Sequence, residues 1–533
     1  MKKNGLLLVL IILCIAAWTA AENALTDLFD KEGSVKAYFV SEKEYEQAIA
    51  GKERIPFDAS VLRCKKCEVP YDSGTNTVYL PMSIQTEGWE GDLTLTDGAG
   101  MIRILHDENE DAGSSILEGT VYKISVVFSN RFMEGDLVFT GMPAVCISFE
   151  DGEIKAKEEH VAMISVLDPY RKEYNRCACT FHVRGNTSVL FDKKSYRVEL
   201  HDSRGNNKKV SFLGLRKDDD WVLNSLSTDK TLSREKVCFD LWKRLNQMEK
   251  DPVAAPLIEY VELFMNRAYM GVYGLMYPID RKLMGMNEGD ILYKVSKWKE
   301  ELELPGKLTD YSEHREVLQK GYEYASIEYP GAGEDYYNWE PLQAYQDFVF
   351  ETGDLSTLTK QRISLNMENF LLHELFCEMT RAADNTWKNL YIAAYGNGRG
   401  GYTLNETIWD LNYTFGDAFK WDPDNGNTKF VPDSTDSYKL RYDRDYVYTA
   451  LIRADADTAS LADAKWKSWR EEGIGPDLIE GMFEEQKEYL VNSGAMRRNE
   501  EKWSGSTLND NSSIYEWIEG RFVFLDQLHG MTD

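Results

Sequence analysis

At 533 residues the chain is longer than one ordinary domain requires, and its 43% hydrophobic and 28% charged residues, with 13 Trp, 30 Tyr and 22 Phe, exclude a largely disordered protein. A formal net charge of −28 at pH 7 sets the surface against nucleic acid and anionic lipid and favours cations or basic polypeptides, although solubility alone would also account for it.

The chain opens with Lys2 and Lys3, an apolar run from Leu6 to Trp18, and the small residues Ala20 and Ala21. That is the order of a secretory signal. Residues 1–21 are therefore expected to be a signal peptide, and the protein to be exported, either secreted or held at the cell surface. The run is short of the ~20 apolar residues that span a bilayer. An uncleaved anchor is the alternative, and no membrane span is expected once the signal is removed. Cys14 would suit a lipoprotein, but Ile12 and Leu13 fit poorly ahead of it. Eight cysteines are present, seven of them beyond the signal, an odd number that does not read as a disulfide framework. Cys64-Lys65-Lys66-Cys67 is a lone CxxC, so zinc is not expected there, and a Cys64–Cys67 disulfide stays open. Cys177 and Cys179 lie two apart on a predicted strand and would share a face.

Residues 22–143 read as β-rich. Val78 to Leu80, Leu93 to Leu95, Met101 to Leu105 and Val121 to Phe128 are strand-like runs, separated by turn residues such as Asp97-Gly98 and Glu134-Gly135. Short strands at near-regular spacing suggest a β-sandwich without a catalytic constellation. From residue 144 the pattern shifts. Ala144 to Phe149 is a strand ending at Asp151-Gly152, Thr180 to Arg184 and Ser195 to Leu200 are strands, and Thr231 to Leu245 is an amphipathic helix. Glu259 to Met265 and Tyr269 to Tyr277 form a hairpin turning at Asn266-Arg267. Further on, Met367, Leu371, Leu375 and Met379 mark one buried helical stripe. Leu390 to Tyr395 and Tyr402 to Leu411 are strands joined by a Gly-rich turn, residues 417–447 read as a polar, Asp-rich loop, and helices follow, including Ser513 to Leu528.

The chemistry concentrates after the buried helix. That helix delivers Asp384 to a loop, Asn389 follows five positions later, and a hairpin carries the chain to Asp410. Phosphoryl transfer from ATP needs a carboxylate to orient the attacking hydroxyl and take its proton, and an Asn and a second Asp to hold magnesium on the phosphates. Protein kinases use Asp-x4-Asn and then a hairpin to a metal-binding Asp, the same order of elements. Spacing alone is weak, since Asp219 and Asn224 share it, and Asp384 and Asp410 could equally be a loop residue and a solvated strand end.

Wider blocks add to this pattern: Val183-Arg184-Gly185-Asn186-Thr187-Ser188, Lys193-Lys194-Ser195-Tyr196-Arg197-Val198-Glu199-Leu200, Leu213-Gly214-Leu215, Asp220-Trp221-Val222-Leu223-Asn224, Asp229 to Arg234, Val261 to Asn266, Tyr269-Met270-Gly271-Val272-Tyr273, Asp384 to Tyr395, Trp409-Asp410-Leu411-Asn412 with Phe415-Gly416, and Trp517-Ile518 with Arg521 to Asp526. In this order they resemble the spore-coat-protein-H (CotH) kinase family over most of residues 144–533. The resemblance implies transfer of the ATP γ-phosphate to protein serine on an atypical kinase fold, with ATP and Mg²⁺ or Mn²⁺. It implies Asp384 as the catalytic aspartate and Asp410, Asn389 and Asn412 as metal ligands. Phosphate-binding cations are expected at Lys194 and Arg197, then Arg184, Lys230 and Arg234, with the Gly185–Ser188 loop, Asn186 included, covering the phosphates through backbone N–H groups. Arg and Lys on strands also commonly bridge to acidic neighbours, Gly185 could simply make a turn, and Tyr273 or Tyr277 could either stack on adenine or pack in the core. The family usually has a second Asp where Asn412 stands, which would weaken metal binding.

The fold expected is α+β: an atypical protein-kinase-like bilobal core preceded by an all-β, sandwich-like N-terminal domain. The boundaries are a signal peptide at 1–21, a β-rich domain at 22–143 and a kinase-like domain at 144–533, with a β-rich ATP-binding part (144–300) and a mainly helical part (301–533). The substrate expected is a Lys/Arg- and Ser-rich protein, with no nucleic-acid partner. The rival expectations are a catalytically weak or inactive surface assembly or adhesion factor, and a transferase acting on glycans or small molecules.

Overall fold

The computed structural model describes residues 37–84, 93–96, 100–105, 112–150, 152, 154, 158–185, 189, 191–296, 325–330, 338–422, 427–432, 446–455 and 457–531. The expected signal peptide, the Asp97-Gly98 turn, and Asn186 and Ser188 lie outside the described residues. The fold is mixed α+β, in two compact units. The first takes the chain up to Lys230, then Ile258–Pro278 and Gln486–Leu508; the second takes Thr231–Leu257, Ile279–Glu485 and the chain from Asn509. Among the described residues no helix is long and apolar enough to cross a membrane.

The first unit begins with β1 (Ala37–Val40), α1 (Glu42–Ile49), β2 (Glu53–Ile55), β3 (Leu62–Cys64), β4 (Cys67–Glu68), β5 (Tyr71–Asp72), β6 (Thr77–Pro81), β7 (Leu93–Leu95), β8 (Met101–Leu105), α2 (Ala112–Glu118), β9 (Val121–Val127) and β10 (Arg131–Thr140). The main sheet runs β1-β8-β9-β10-β6-β5, with β2 also on β10, and β3, β4 and β7 form a small second sheet. The pairs β1–β8, β6–β10 and β2–β10 are parallel. Parallel neighbours cannot be closed by a tight turn, so this is a mixed sheet with helices in its connections rather than the all-β sandwich expected. Glu134-Gly135 does not turn the chain. It lies within β10, where a Cβ on Gly135 would stand 3.1 Å from the Phe57 ring and 3.2 Å from the Asn76 carbonyl. The turn falls at Ser129-Asn130, closed by Phe128 N–H donating to Arg131 O at 2.9 Å.

The next strands close on themselves: β11 (Ala144–Phe149), β12 (His160–Asp168), β13 (Glu173–Arg184), β14 (Ser195–His201), β15 (Asp220–Asn224), β16 (Ile258–Met265) and β17 (Ala268–Met276) form a barrel in the order β11-β12-β13-β14-β15-β17-β16, sealed by the parallel pair β11–β16. Closure leaves the sheet no unpaired edge. The expected β16–β17 hairpin turns at Asn266-Arg267, whose φ of 43° and 63° suit a two-residue turn that needs positive φ at both positions. Buried residues of the N-terminal sheet and of the barrel belong to one hydrophobic cluster, in which Tyr79 stacks on Tyr269 with centroids 5.6 Å apart and lies 5.2 Å from Phe264. Cys64 and Cys67 face each other across β3 and β4 as buried thiols outside any disulfide, and Cys177 and Cys179 are likewise buried and outside any disulfide.

The helix Ala495–Lys502 docks on the barrel through polar side chains. Asn499 Oδ1 accepts from Val272 N–H at 2.9 Å, and Trp503 Nε1 donates to Met270 O at 2.8 Å. Gly271, at φ +96°, makes the approach possible: a Cβ there would stand 2.5 Å from Asn499 Oδ1. Lys193 is buried at the same place. Its Nζ donates to Val272 O at 2.6 Å and Asn499 Oδ1 at 3.0 Å, and sits 4.9 Å from the Tyr273 ring centroid. Burial pushes its ammonium down to about 7. The unfolded chain, with an ordinary lysine near 10.4, then binds more protons from pH 7 to about 10, so this group makes stability rise with pH across that window and withdraws it as pH falls toward 7. Lys193→Met is expected to remove this component. Urea midpoints measured at pH 7 and 9.5 should show a smaller gain, or a larger loss, in the variant than in the parent; parallel profiles would refute it.

The second unit is built on a sheet in the order β19-β18-β21-β22-β20, from β18 (Ile291–Val295), β19 (Ala325–Tyr329), β20 (Ile363–Leu365), β21 (Leu390–Gly396) and β22 (Tyr402–Ile408). Its helices include α3 (Arg234–Asn246), α4 (Glu340–Gln346), α5 (Leu355–Lys360) and α6 (Met367–Thr380). The stripe expected on α6 is present, but burial extends around the whole helix from Asn369 to Thr380. Two of its polar residues meet Glu406 on β22. Asn369 clips the Glu406 backbone, accepting from its N–H at 2.7 Å and donating to its C=O at 3.0 Å. His373 lies 3.3 Å from Glu406, yet burial dominates and holds its imidazolium down to about 4, so the ring is neutral. Residues 417–447 are not all loop: Asp417–Asp422 (β23) and Asn427–Pro432 (β24) pair antiparallel.

Candidate active site

The helix α6 ends at Arg381, whose left-handed φ of 53° turns the chain out, with Ala382 N–H returning to Cys377 O at 3.0 Å. A single 3₁₀ turn, Ala383–Asn385, then presents Asp384. The strands β21 and β22 pair in register from Leu390 opposite Ile408, so Asn389 and Trp409 flank the same end of the hairpin and Asp410 follows directly. Asn385, 1% exposed, ties the three segments together: its Nδ2 donates to Trp409 O at 2.6 Å and to Asn389 O at 3.4 Å. Asp384, Asn389 and Asp410 thus gather at one end of one hairpin, as their order along the chain implied.

Both Asn389 and Asp410 have left-handed backbones, at φ 54° and 61°. Asn and Asp tolerate this region better than other side chains, but it still costs on the order of 1–3 kcal/mol each and is kept where surrounding bonds enforce it. The loop after Asp410 is held from beneath. Phe415 N–H donates to Thr380 O at 2.8 Å, Thr414 Oγ1 donates to Leu411 O at 2.9 Å, and the buried Arg234 donates through Nε to Thr414 O at 3.0 Å. Arg234 therefore supports the loop rather than pointing to open solvent. Asp384 is 20% exposed and accepts from Lys388 Nζ at 3.0 Å, with the lysine 30% exposed. Lys388 and Asn385 both lie inside the Asp-x4-Asn motif and went unread, since neither residue type signals a partner four positions or one hairpin away.

The remaining phosphate-binding expectations fall in the first unit. Arg197 forms a two-pronged pair with Asp220 on the neighbouring strand, Nε to Oδ1 at 2.9 Å and Nη2 to Oδ2, and lies 3.9 Å from Glu199. Burial pushes the Asp220 carboxyl up, and the Arg197 guanidinium works against that rise. Lys194 Nζ donates to Val189 O at 2.8 Å across its own loop. Arg184 ends β13, Gly185 leaves it at φ +106°, and Lys230 is exposed, its carbonyl accepting from Leu508 N–H at 2.8 Å. Tyr273 and Tyr277 are buried, the latter beneath the Arg216 guanidinium at 4.3 Å and edge-on to Trp221, which matches the core reading of these rings.

The metal donors expected here are the Asp410 carboxylate and the amide oxygens of Asn389 and Asn412. All are hard oxygen ligands, the type magnesium takes, and magnesium usually completes its shell with water and substrate phosphates. Among the described residues no group of three or more His, Cys, Asp or Glu could hold a metal alone. Oxygen donors of this kind would suit a magnesium ion that arrives with a phosphorylated substrate. A family model described as CotH kinase protein matches residues 181–525. No curated protein matches the chain.

Proposed function

The chain belongs to the CotH kinase protein family, and from that premise we propose that it is an exported, atypical protein kinase that moves the γ-phosphate of ATP to serine of a basic protein substrate. The observation that carries the reading is the convergence of Asp384, Asn389 and Asp410 at one end of the β21–β22 hairpin, tied by Asn385. In this reading Asp384 orients the serine hydroxyl and accepts its proton as the bond from serine Oγ to the γ-phosphorus forms and the bond to ADP breaks. Asp410, Asn389 and Asn412 would hold magnesium, which supplies charge neutralisation on the phosphates. Lys388, already on Asp384, keeps the carboxylate positioned and adds a positive charge where negative charge develops. The acidic surface suits a Lys/Arg- and Ser-rich substrate.

A second reading rests on Asn412. An amide in place of a carboxylate keeps the oxygen donor and loses a charge, which favours a weak or inactive kinase fold serving assembly or adhesion. The test is incubation of the full chain with γ-labelled ATP, Mg²⁺ or Mn²⁺ and a basic Ser-rich protein, beside Asp410→Ala. Label on serine that Asp410→Ala abolishes is the expected result. No transfer, together with no ATP-dependent thermal stabilisation in either metal, selects the second reading.

A further inference from the structure

We propose that Asn385 is the positioning residue for the metal site: its single side-chain amide sets the backbone of both Asn389 and the Trp409-Asp410 step, and through them the direction of two metal-ligand side chains. The inference rests on the nucleotide reading above and deepens it, by giving the residue that ties the hairpin end a role in setting the metal ligands. Three observations support it. Asn385 is buried to 1% exposure, so its Nδ2 has no water to fall back on, and it donates to Trp409 O at 2.6 Å and Asn389 O at 3.4 Å. The two acceptors belong to, or directly precede, the residues with φ of 54° and 61°. Such conformations revert when the bonds enforcing them are lost. Its own N–H is held by Ala382 O at 2.9 Å, so the turn that carries Asp384 is anchored to the same clip. Partners that orient metal ligands without touching the metal typically contribute 10–100-fold in metal affinity.

Asn369 offers a matched control. It is also buried and also uses one side-chain amide to clip the β22 backbone, but at Glu406, four residues before Asp410 and away from the two left-handed residues. The experiment is a Mn²⁺ titration at saturating ATP on the full chain, read by the electron paramagnetic resonance signal of bound Mn²⁺ and by the thermal midpoint. Parent, Asn385→Asp, Asn385→Ala and Asn369→Ala are compared. Asn385→Asp keeps the shape and turns the donor into an acceptor facing two carbonyls; Asn385→Ala serves if the first does not fold. Either Asn385 variant is expected to raise the Mn²⁺ half-saturation by about 10–100-fold, whereas Asn369→Ala lowers the thermal midpoint and leaves the half-saturation where it is. Half-saturation unchanged in a folded Asn385 variant, or raised equally in Asn369→Ala, overturns the positioning role alone. A parent that binds no Mn²⁺ with ATP overturns the nucleotide reading and this inference together.

Discussion

Asp384→Asn is expected to slow phosphoryl transfer by about 10²–10⁴-fold, the usual contribution of a positioned general base, while ATP binding and stability stay close to those of the parent. The substitution retains the size of the side chain and an oxygen that can still accept from Lys388 Nζ, now 3.0 Å away. It removes the negative charge and with it the ability to take a proton. The side chain is half-buried on a turn held mainly by Asn385, so little of the fold depends on its charge. The informative readout is the split between the two kinetic constants. A loss in kcat with KM for ATP unchanged identifies a group acting in the transition state. A loss confined to KM would make Asp384 a binding residue, and a loss below about tenfold would remove it from the chemistry. Asp410→Ala should differ in kind, abolishing metal-dependent nucleotide binding as well as turnover.

The part of this site that could be read along the chain is the part encoded by local periodicity. The four-residue stripe on α6 and the strand–turn–strand hairpin that leads to Asp410 depend on neighbours within one supersecondary unit, and both are present in the structure. The same holds for the Asn266-Arg267 turn, where two residue types and two flanking strands suffice. What could not be read depends on partners far away in the chain. Nothing about Arg197 announces Asp220 as its partner rather than a phosphate, nor about Arg234 that it meets Thr414. Lys193 and Lys194 stand side by side, and only burial by a helix some 300 residues later separates their fates. In the N-terminal sheet the reason is related: turn residues suggest that adjacent strands pair, but parallel pairs such as β6–β10 put non-neighbours side by side, and Gly135 serves a close approach instead.

Arg498→Met is expected to destabilise the first unit by about 3–5 kcal/mol, the range found when one partner of a buried ion pair is removed. Arg498 is 5% exposed and Glu262 0%. The guanidinium donates from Nε to Glu262 Oε1 at 2.8 Å and from Nη2 to Glu262 Oε2 at 2.9 Å, to Thr140 Oγ1 at 2.6 Å and to Ser493 O at 2.9 Å, and Tyr269 OH donates to Glu262 Oε1 at 2.7 Å. Without the arginine, a carboxylate is left in the core with only two hydroxyls to satisfy it. The double variant Arg498→Met with Glu262→Leu should recover much of the loss, because the unpaired charge goes with its partner, and the difference between the cycle's arms measures their coupling. Urea midpoints of the four proteins decide this; a single-variant loss under 1 kcal/mol would mean that water reaches the site. The pair also explains why the chain returns to the first unit after leaving it. Thr140 ends β10 of the N-terminal sheet, Glu262 lies on barrel strand β16, and Arg498 arrives on the helix Ala495–Lys502. A chain cut before Gln486 would hold the same sheet and barrel strands but leave Glu262 unpaired and Lys193 without Asn499, and it should therefore be the less stable for the loss of both.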